Sequence, residues 1–479
     1  MGTVGLNFGS ATSGQGFDVA STVSQIVTNL QSVETPWKTQ LASLQSKDTA
    51  LTSLGTQLST LSTDMQNLTD FGGTLALKTG SSSDTNVLQL TSASAAAVAG
   101  THTIAVQNLA QTSSAASDAV GASDVLTGGI TFKIGNGGWK TVKVGDGSTA
   151  STLAGLSAAI NSAGLGVTAN VLTKADGTVR LSLVSQTSGS AGQITIANST
   201  NNPGSPTTLA DSTKPDVNPS LGLATIQSGL DANITVDGVS LTSASNVVTN
   251  AIPGVTFQLL STGTPNADST PENVQVIIAN DTSTIESAIN TFVTDYNTTI
   301  KAINAQEGKD STGKAEPLFG TSLLAQLQSG LQSALSMSFG SNAINSLISL
   351  GITANASADG TISLDANTLS NALNSNFGQV VSFFQDTGKF GSMFTQTLDG
   401  LGTNATRGGA VALALNEDTG QEKTLNDNID KQEALIATQK EHLTAELNLA
   451  NQIMQSIPQQ IQQVNEMYSA ITGYNSKQG

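Results

Sequence analysis

The 479-residue sequence contains no cysteine and only two histidines, His102 and His442. Disulfides, cysteine nucleophiles, iron–sulfur clusters and structural zinc sites are therefore excluded. Charged residues are also scarce, at 11% of the chain, where globular proteins have about a quarter. The 18 basic and 35 acidic residues leave a net charge of −17, which argues against a nucleic-acid partner held through its phosphates.

Long apolar runs and an amino-terminal basic region are missing as well. No segment approaches the roughly 18 consecutive apolar residues of a membrane-spanning helix, so we expect no membrane insertion. The first lysine is Lys38, so we also expect no secretory signal peptide. An acidic, Ser/Thr-rich composition fits an exported surface protein and an acidic cytosolic protein equally well, and it leaves the compartment open.

Both ends of the chain have apolar residues at every seventh position, which is typical of the a position of a coiled coil. This pattern predicts helices over residues 19–34 and 36–68, and Pro458 is expected to kink or restart the last helix. The amino-terminal series is Val23, Leu30, Trp37, Leu44, Leu51, Leu58 and Met65, with Ile26, Val33, Leu54, Leu61 and Leu68 three residues after members of it. The carboxyl-terminal series is Ile429, Ile436, Leu443, Ala450, Ile457, Val464 and Ile471, with mostly polar d positions.

So narrow an apolar stripe contributes little stability on its own. Burial yields about 25 cal/mol per Å², whereas ordering each residue costs roughly 1–2 kcal/mol. We therefore predict that the terminal helices pack against neighbouring molecules. An antiparallel helix pair within one monomer would use the same residues and is the alternative. The residues predicted for this assembly packing are Val23, Ile26, Leu30, Val33, Ile453, Ile457, Val464 and Ile471.

Between residues 79 and 279 the apolar period changes from seven to two, which indicates strands. Turn sequences such as Asn136-Gly137-Gly138 and Asp176-Gly177 separate several of these runs. One helix is predicted over 148–163, and long loops over 198–219 and 261–271. The predicted strands are 87–90, 102–106, 130–134, 139–144, 167–172, 179–184, 194–196, 234–236, 255–260 and 274–278.

Helical spacing returns after Asp281, with a hairpin at 352–354 and 361–364. The predicted helices cover 285–303, 323–335, 377–384 and 390–398. At roughly 150 residues per domain, the length predicts about three domains. We predict an α+β multidomain fold with terminal coiled-coil helices and a helical domain with inserted β-rich domains. The predicted boundaries are 1–41 and 420–479 for the terminal leg helices, 42–78 and 280–419 for the helical domain, 79–125 and 226–279 for a β-rich domain, and 126–225 for an inserted β-rich domain.

No motif supports catalysis. Gly308 to Lys314 has the spacing of a phosphate-binding loop, but Ala315 stands where a hydroxyl must bind magnesium, and the segment follows a helix. Asp70-Phe71-Gly72 matches one kinase tripeptide without the rest of the kinase signature, and we interpret it as a helix stop. We predict that the protein is not an enzyme and that it has no catalytic residues, cofactor or metal ion.

Several segments resemble one known family, the bacterial flagellar filament cap proteins, also called flagellar hook-associated protein 2 or FliD. The resemblance covers nearly the whole chain in the right order. Gly145 to Thr149, followed by Leu153 to Leu156, resembles an internal motif that caps share with flagellins and other hook-associated proteins. The other segments that carry the resemblance are Gly16-Phe17-Asp18-Val19, Ala251 to Val255, and Phe292-Val293 with Tyr296-Asn297.

This resemblance implies a structural cap at the distal tip of the flagellar filament, where it promotes folding and insertion of exported flagellin. It further implies secretion through the flagellar type III export apparatus with the help of an export chaperone. The expected assembly is a ring homo-oligomer, a pentamer, that contacts flagellin and the hook-associated junction proteins. The alternatives are a flagellin or hook–filament junction protein, and an adhesin that uses its exposed β domains.

Overall fold

The computed structural model describes residues 16–145, 150–202, 204–211, 221–266, 270–357 and 359–472. The chain divides into two compact units. The helical unit comprises Met1–Asp70 and Ile285–Gly479, and the sheet unit comprises Phe71–Thr284. The predicted fold class, α+β with terminal helices and inserted β-rich parts, is confirmed.

Helices lie where the seven-residue and helical spacings predict them. Helix α1 ends at Gln31, three residues before the predicted end, because Ser32 to Glu34 form a turn. Helix α2 begins at Thr35, one residue before the predicted start, and Pro36 follows in the first turn. In the described residues the helices are α1 (Val19–Gln31), α2 (Thr35–Thr69), α3 (Leu153–Ser162), α4 (Thr282–Gln306), α5 (Ser322–Leu335), α6 (Ala366–Ser375), α7 (Phe377–Gln385), α8 (Phe390–Leu401) and α9 (Ala410–Thr472).

All ten predicted strands are present, with ends that shift by a few residues. The described strands are β1 (Lys78–Ser82), β2 (Leu88–Ala93), β3 (Gly100–Asn108), β4 (Thr112–Ser117), β5 (Val120–Gly121), β6 (Leu126–Thr127), β7 (Gly129–Ile134), β8 (Lys140–Lys143), β9 (Val167–Thr173), β10 (Thr178–Ser188), β11 (Ile194–Ile196), β12 (Ala210–Asp211), β13 (Leu223–Gln227), β14 (Ala232–Val236), β15 (Val239–Ser243), β16 (Val247–Thr249), β17 (Val255–Leu259), β18 (Asn273–Asn280), β19 (Ile352–Ala354) and β20 (Ile362–Leu364).

The first core of the sheet unit lies between two antiparallel sheets. One has the strand order β1-β18-β3-β14-β15, and the other has the order β16-β17-β2. Register pairs such as Ile104 with Val274 place the alternating apolar residues of neighbouring strands side by side. Together with Phe257 of β17 these side chains form one hydrophobic cluster.

A second core in the same unit involves helix α3. The strands around it are ordered β13-β4-β10-β5, with β9 paired to β10, and β11-β7-β8. Leu153, Leu156 and Ile160 occupy one face of α3 at helical spacing and are buried in this cluster. Thr152 caps the helix, since its hydroxyl accepts a hydrogen bond from the Gly155 amide at 3.2 Å.

The helical unit packs its long helix α2 against α8 and α9, and α5 also packs on α8. Five phenylalanines from α4, α7 and α8 form its aromatic centre, which we call the phenylalanine cluster: Phe292, Phe383, Phe384, Phe390 and Phe394. All five are buried. The two-stranded hairpin β19–β20 also belongs to this unit.

Helix α9 runs through Pro458 as one continuous helix, so of the two predicted outcomes, a kink or a restart, the restart is wrong. Proline removes one backbone donor and leaves the carbonyl of Met454 without its helical partner. That loss is one bond in a 63-residue helix. The remaining turns on both sides keep their own hydrogen bonds, and the helix continues.

Candidate assembly surface

Helices α1 and α2 pack against α9 in an antiparallel arrangement within one chain. At one end the Phe17 amide donates to Asn451 Oδ1 at 2.9 Å, and farther along Lys38 contacts Glu433 at 2.9 Å. Residue numbers therefore rise along the amino-terminal helices as they fall along α9. The terminal helices therefore form an antiparallel pair within one monomer, which was the alternative to packing between molecules. Residues 456–472 of α9 extend beyond the start of α1.

The far end of α9 carries a continuous apolar stripe that is open to solvent. At 100° per residue its members lie within about 120° of the helix surface. Their exposed fractions range from 42% for Ile461 to 80% for Ile471. We call this set the tip stripe: Leu449, Ile453, Ile461, Val464, Met467, Tyr468 and Ile471. Gln462 and Glu466 lie on the opposite face of the same helix.

The structure divides the eight residues predicted for assembly packing into three groups. Val23 is buried, and α1 packs on α9. Ile26, Leu30 and Ile457 are half-buried. The exposed members are Val33, Ile453, Val464 and Ile471. A role between molecules stays a prediction for all eight, and the exposed four are available for it without any rearrangement of the chain.

The sequence pattern alone missed part of this surface. Leu449, Ile461 and Tyr468 lie outside the seven-residue series, because that series follows only one row of the helix. A helical period of 3.6 residues places them on the same face of α9 as Val464, and this period is the signal that would have identified them.

One ion-pair group lies between the terminal helices. The Lys38 ammonium contacts Glu34 at 2.8 Å as well as Glu433. The hydrogen bonds that Lys38 donates to Glu34 and Glu433 raise the pKa of Lys38 above its usual value. Both partners of the Lys38–Glu433 pair, which joins the two helices, are about half exposed, and exposed pairs contribute little stability. The pairing of these helices therefore depends on apolar contacts rather than on charge.

Carboxylates also face one another along α2. Burial, followed by the nearby carboxylates of Glu422 and Asp418, raises the pKa of Asp48. Burial and the adjacent Asp295 raise the pKa of Asp64 to about 6. No positively charged group contributes to the pKa of Asp64. Like charges held this close oppose the folded helical unit at neutral pH.

The variant Asp64→Asn is expected to be more stable than the parent protein at pH 8. Because the folded-state pKa lies above the unfolded one, this carboxyl stabilises the fold fully below about pH 4 and loses that contribution as the pH rises through 6. The variant should raise the free energy of unfolding by about 1–2 kcal/mol at pH 8, after allowance for solvent screening. This difference between the two proteins should vanish near pH 4. Urea unfolding of both proteins across this range measures the difference.

Two further variants control that measurement. Asp295→Asn removes the repulsion but not the burial of Asp64, which is the larger cause, so it should give a smaller gain than Asp64→Asn, and the double variant should gain little more than Asp64→Asn alone. Asp430→Asn removes an exposed carboxylate elsewhere in the same unit and should change stability little. Equal gains from Asp64→Asn and Asp430→Asn would mean that net charge, not the Asp64–Asp295 contact, governs the effect.

The residues that carry the family resemblance in α4 have structural roles. Phe292 belongs to the phenylalanine cluster, and Val293 and Tyr296 are buried. Asn297 forms two hydrogen bonds with Ile362 of β20: its amide donates to the carbonyl at 2.8 Å, and its carbonyl accepts from the amide at 2.8 Å. This part of α4 therefore connects the aromatic core to the hairpin.

The segment that resembles a phosphate-binding loop is a tight turn closed by its own carboxylate. Asp310 accepts hydrogen bonds from the Thr312 amide at 2.8 Å and the Lys314 amide at 3.0 Å. The Thr312 hydroxyl, the largest contribution, and these amides lower the pKa of Asp310. An anionic side chain thus occupies the amide donors that a phosphate would need, and the segment connects two helices.

The two histidines belong to different units of the chain. His102 Nδ1 lies 2.7 Å from Asp237 Oδ2 on the surface of the sheet unit, and His442 is exposed on α9. Within the described part of the chain, no group of three or more His, Asp or Glu side chains could hold a metal ion. None of the described helices combines the length and apolar character needed to cross a bilayer.

Comparison with known proteins supports one family along the chain. The family model described as flagellar hook-associated protein 2 C-terminus matches residues 229–470. The model described as flagellar hook-associated protein 2 N-terminus matches residues 15–113. The C-terminal match alone spans half of the chain.

Individual relatives agree with this result. The B-type flagellar hook-associated protein 2 of Pseudomonas aeruginosa is 30% identical over 452 residues, which cover 89% of this chain and 91% of the relative. Flagellar hook-associated protein 2 of Escherichia coli K12 is 28% identical over 453 residues, covering 90% and 92%. The crystal structure of the D1-D2-D3 domains of the Escherichia coli flagellar cap protein FliD has the same fold, with a TM-score of 0.56 and 24% identity over 77% of this chain and 99% of that one. The chain therefore belongs to the flagellar hook-associated protein 2 family.

Proposed function

We propose that this protein is the structural cap at the distal end of a bacterial flagellar filament, where incoming flagellin folds and is inserted beneath it. Membership of the flagellar hook-associated protein 2 family supports a structural role in the flagellum. The Escherichia coli protein whose fold this chain shares is a flagellar cap protein. The alternatives, a flagellin, a junction protein or an adhesin, have no comparable support.

The observation that carries the proposal is the tip stripe. Exposed apolar surface of this extent on one helix marks a binding surface in a folded protein. Seven large side chains are solvent-exposed in the single chain, and all lie at the end of α9 farthest from its start. A cap has to hold a growing filament end, and this surface provides apolar contacts for that purpose.

The absence of charge from the tip stripe suits a cap that changes contacts repeatedly. Charged residues make up 11% of the chain, and the tip stripe itself carries none. Apolar contacts are non-directional, so one set can be exchanged for a similar set as each flagellin is added. Ion pairs would have to be broken and reformed with defined geometry at every step.

The proposal extends to assembly and domain roles. The terminal segments 1–41 and 420–479 act as legs that reach into the filament, and the β-rich segments 79–125 with 226–279 and 126–225 form a plate. The segments 42–78 and 280–419 form a helical domain. Five copies form the ring, after export through the flagellar type III apparatus with a chaperone. The two separate hydrophobic cores of the sheet unit support an inserted domain, but the second core begins before residue 126, since it includes Ala115 and Val120.

Immunogold labelling of intact flagella tests the proposed location. A strain that lacks the native gene is complemented with the full chain, and the purified filaments are labelled with antibody against it. Gold at one end only, the end distal to the hook, is the expected result. Label along the shaft would indicate a flagellin, and label at the hook–filament boundary would indicate a junction protein; either pattern would contradict the cap proposal.

A further inference from the structure

Helices α1 and α2 are joined by one turn of a tighter helix. The amides of Ser32, Val33, Glu34 and Thr35 each donate to the carbonyl three residues earlier, at distances of 3.0–3.4 Å. This bonding is that of a 3₁₀ helix, and the backbones of Ser32 and Glu34 stay in the right-handed helical region. We call Ser32 to Thr35 the joint. A short 3₁₀ stretch between two α-helical stretches often marks a hinge.

Pro36 explains the change of geometry at the joint. It has no N–H to donate to the Ser32 carbonyl four residues earlier, and its ring crowds that carbonyl. The Ser32 carbonyl accepts instead from the Thr35 amide at 3.4 Å. Helix α9 continues through Pro458, so a proline inside a helix is tolerated in this chain. An α-helical form of the joint is therefore compatible with Pro36.

The apolar pattern matches the α-helical form rather than the 3₁₀ form. The series Val23, Leu30, Trp37 and Leu44 keeps its seven-residue spacing across the joint. Four residues at 120° each, instead of 100°, add a rotation of roughly 80° between α1 and α2. In one continuous α-helix Val33 would lie within about 20° of Leu44, which is buried. In the 3₁₀ form Val33 is 52% exposed.

The 3₁₀ form also buries a carboxylate. Glu34 is 1% exposed, and its Oε2 lies 2.8 Å from Lys38 Nζ. Its Oε1 is buried and has no hydrogen-bond partner among the described residues. A buried carboxylate with an unpaired oxygen costs free energy, and removal of its cation would raise that cost. The 3₁₀ form therefore depends on Lys38, and a form that returns Glu34 to water would recover the cost.

We propose that the joint is a two-state element. Its 3₁₀ form exposes Val33 and buries Glu34, and its α-helical form joins α1 and α2 into one helix and brings Val33 onto the covered face. Conversion rotates α1 about its axis, while α2 stays packed on α8 and α9. A molecule that covers Val33 favours the α-helical form, because binding shifts the population toward the state that is bound better. The inference concerns the chain itself and does not depend on the cap proposal.

Distances between spin labels, measured by pulsed electron paramagnetic resonance on the full chain, test this inference. The chain has no cysteine, so labels attach only to introduced cysteines. Asn29→Cys with Asn426→Cys spans the joint, and Thr60→Cys with Asn426→Cys is a reference pair on α2 and α9; all three positions are exposed. Pro36→Ala restores the missing N–H, and a rotation of roughly 80° should then change the distance across the joint by roughly 5 Å or more. The reference distance should stay unchanged.

A matched pair of variants tests the role of Val33. In the Pro36→Ala protein, Val33→Asp should restore the parent distance, because the α-helical form would bury the added charge. Gln31→Asp adds the same charge at a position that is exposed and lies on the opposite face of the continuous helix. It should leave the second distance in place.

A second matched pair keeps Pro36. Lys38→Met leaves Glu34 buried without its cation, so it should make the second distance the main one. Lys423→Met removes a lysine from the exposed pair with Asp427, which has the same four-residue spacing on α9. It should change neither distance.

Three results would overturn the inference. The first is an unchanged distance across the joint in Pro36→Ala or in Lys38→Met, which would mean that only one form is open to the natural chain. The second is a broad distribution in place of a second distance, which would indicate a flexible linker. The third is equal recovery of the parent distance with Val33→Asp and Gln31→Asp, which would mean that charge alone decides. The reference distance verifies that each variant is folded.

Discussion

A variant that carries Val464→Asp and Ile471→Asp is expected to fold and be exported normally, yet to fail in supporting filament growth. Both side chains belong to the tip stripe and are exposed in the single chain, so aspartate at these positions loses no contact within the monomer. Surface substitutions of this kind usually change stability by about 0.5 kcal/mol or less. The defect should therefore arise only when the helix meets another molecule.

The expected size of the defect follows from the lost apolar burial. Fully burying a Val or Ile side chain contributes about 1.5–3 kcal/mol, so two replacements remove about 4 kcal/mol from each contact. A loss of 4 kcal/mol weakens association by a factor on the order of 10³. Aspartate adds the cost of removing a charge from water. Filaments should become rare and short, with unpolymerised flagellin released into the medium.

Electron microscopy of filaments and an immunoblot of flagellin in the culture supernatant measure this outcome. The matched control is Gln462→Asp with Ser469→Asp, which has the same seven-residue spacing and the same added charge on the opposite face of α9. That control should grow normal filaments. An immunoblot of the exported cap variants shows that both proteins leave the cell.

Two results would contradict this prediction. Normal filaments with the stripe variant would mean that the tip stripe does not hold the cap in place. Equal loss of filaments in the stripe variant and the control would mean that added charge, rather than the lost apolar contact, is responsible. Leu30, which the sequence also singles out, is less suitable for this test because it is half-buried within its own chain.

The sequence predicts the terminal helices well because their apolar spacing is regular over many turns. It could not determine which partner each stripe meets. Val23 and Val464 belong to the same kind of series, yet Val23 is buried in the folded monomer and Val464 is exposed. The apolar period predicts that one face of a helix is covered. It does not show whether the residues that cover this face belong to the same chain.

Several strands escaped prediction because they are built from small polar residues. Strand β4 has the sequence Thr-Ser-Ser-Ala-Ala-Ser and lies between β13 and β10. Ser113, Ala115 and Ser117 alternate as its buried residues, with the hydroxyl of Ser117 accepting from the Leu181 amide at 3.0 Å. The two-residue period is present, but these residue types carry almost no strand signal of their own.

Helix α6 was missed for a different reason. Its apolar side chains, Leu369 and Leu373, span only one turn, and Asn and Ser fill most of the remaining positions. Asp365 caps the helix by accepting from the Asn367 amide at 3.0 Å. A search for capping residues, rather than for apolar period alone, would have found this start.

Replacing Phe390 with alanine is expected to destabilise the helical unit by about 4–5 kcal/mol. Phe390 is fully buried and contacts every other ring of the phenylalanine cluster, with Phe383 stacked at 5.1 Å and Phe394 at 5.3 Å. Loss of a buried phenylalanine costs about 3–5 kcal/mol through lost burial and the cavity left behind. Each ring pair adds about 0.5–1.5 kcal/mol of stability. The expected destabilisation therefore lies at the upper end of the range for a buried phenylalanine.

Phe319→Ala provides the matched control. It makes the same chemical change in the same unit, but Phe319 is 52% exposed and is not part of the cluster. Its cost should stay below about 1 kcal/mol, since little apolar area is lost from the interior. The two variants together separate the role of the cluster from the general effect of shortening a phenylalanine.

The two tryptophans permit a measurement on each unit, because Trp37 lies in the helical unit and Trp139 in the sheet unit. Trp139→Phe leaves Trp37 as the reporter, and Trp37→Phe leaves Trp139. In thermal unfolding, Phe390→Ala should lower the transition reported by Trp37 by about 10 °C. The transition reported by Trp139 should stay in place, since the sheet unit has hydrophobic cores of its own. A shift no larger than that of Phe319→Ala would show that the phenylalanine cluster does not govern the stability of the helical unit.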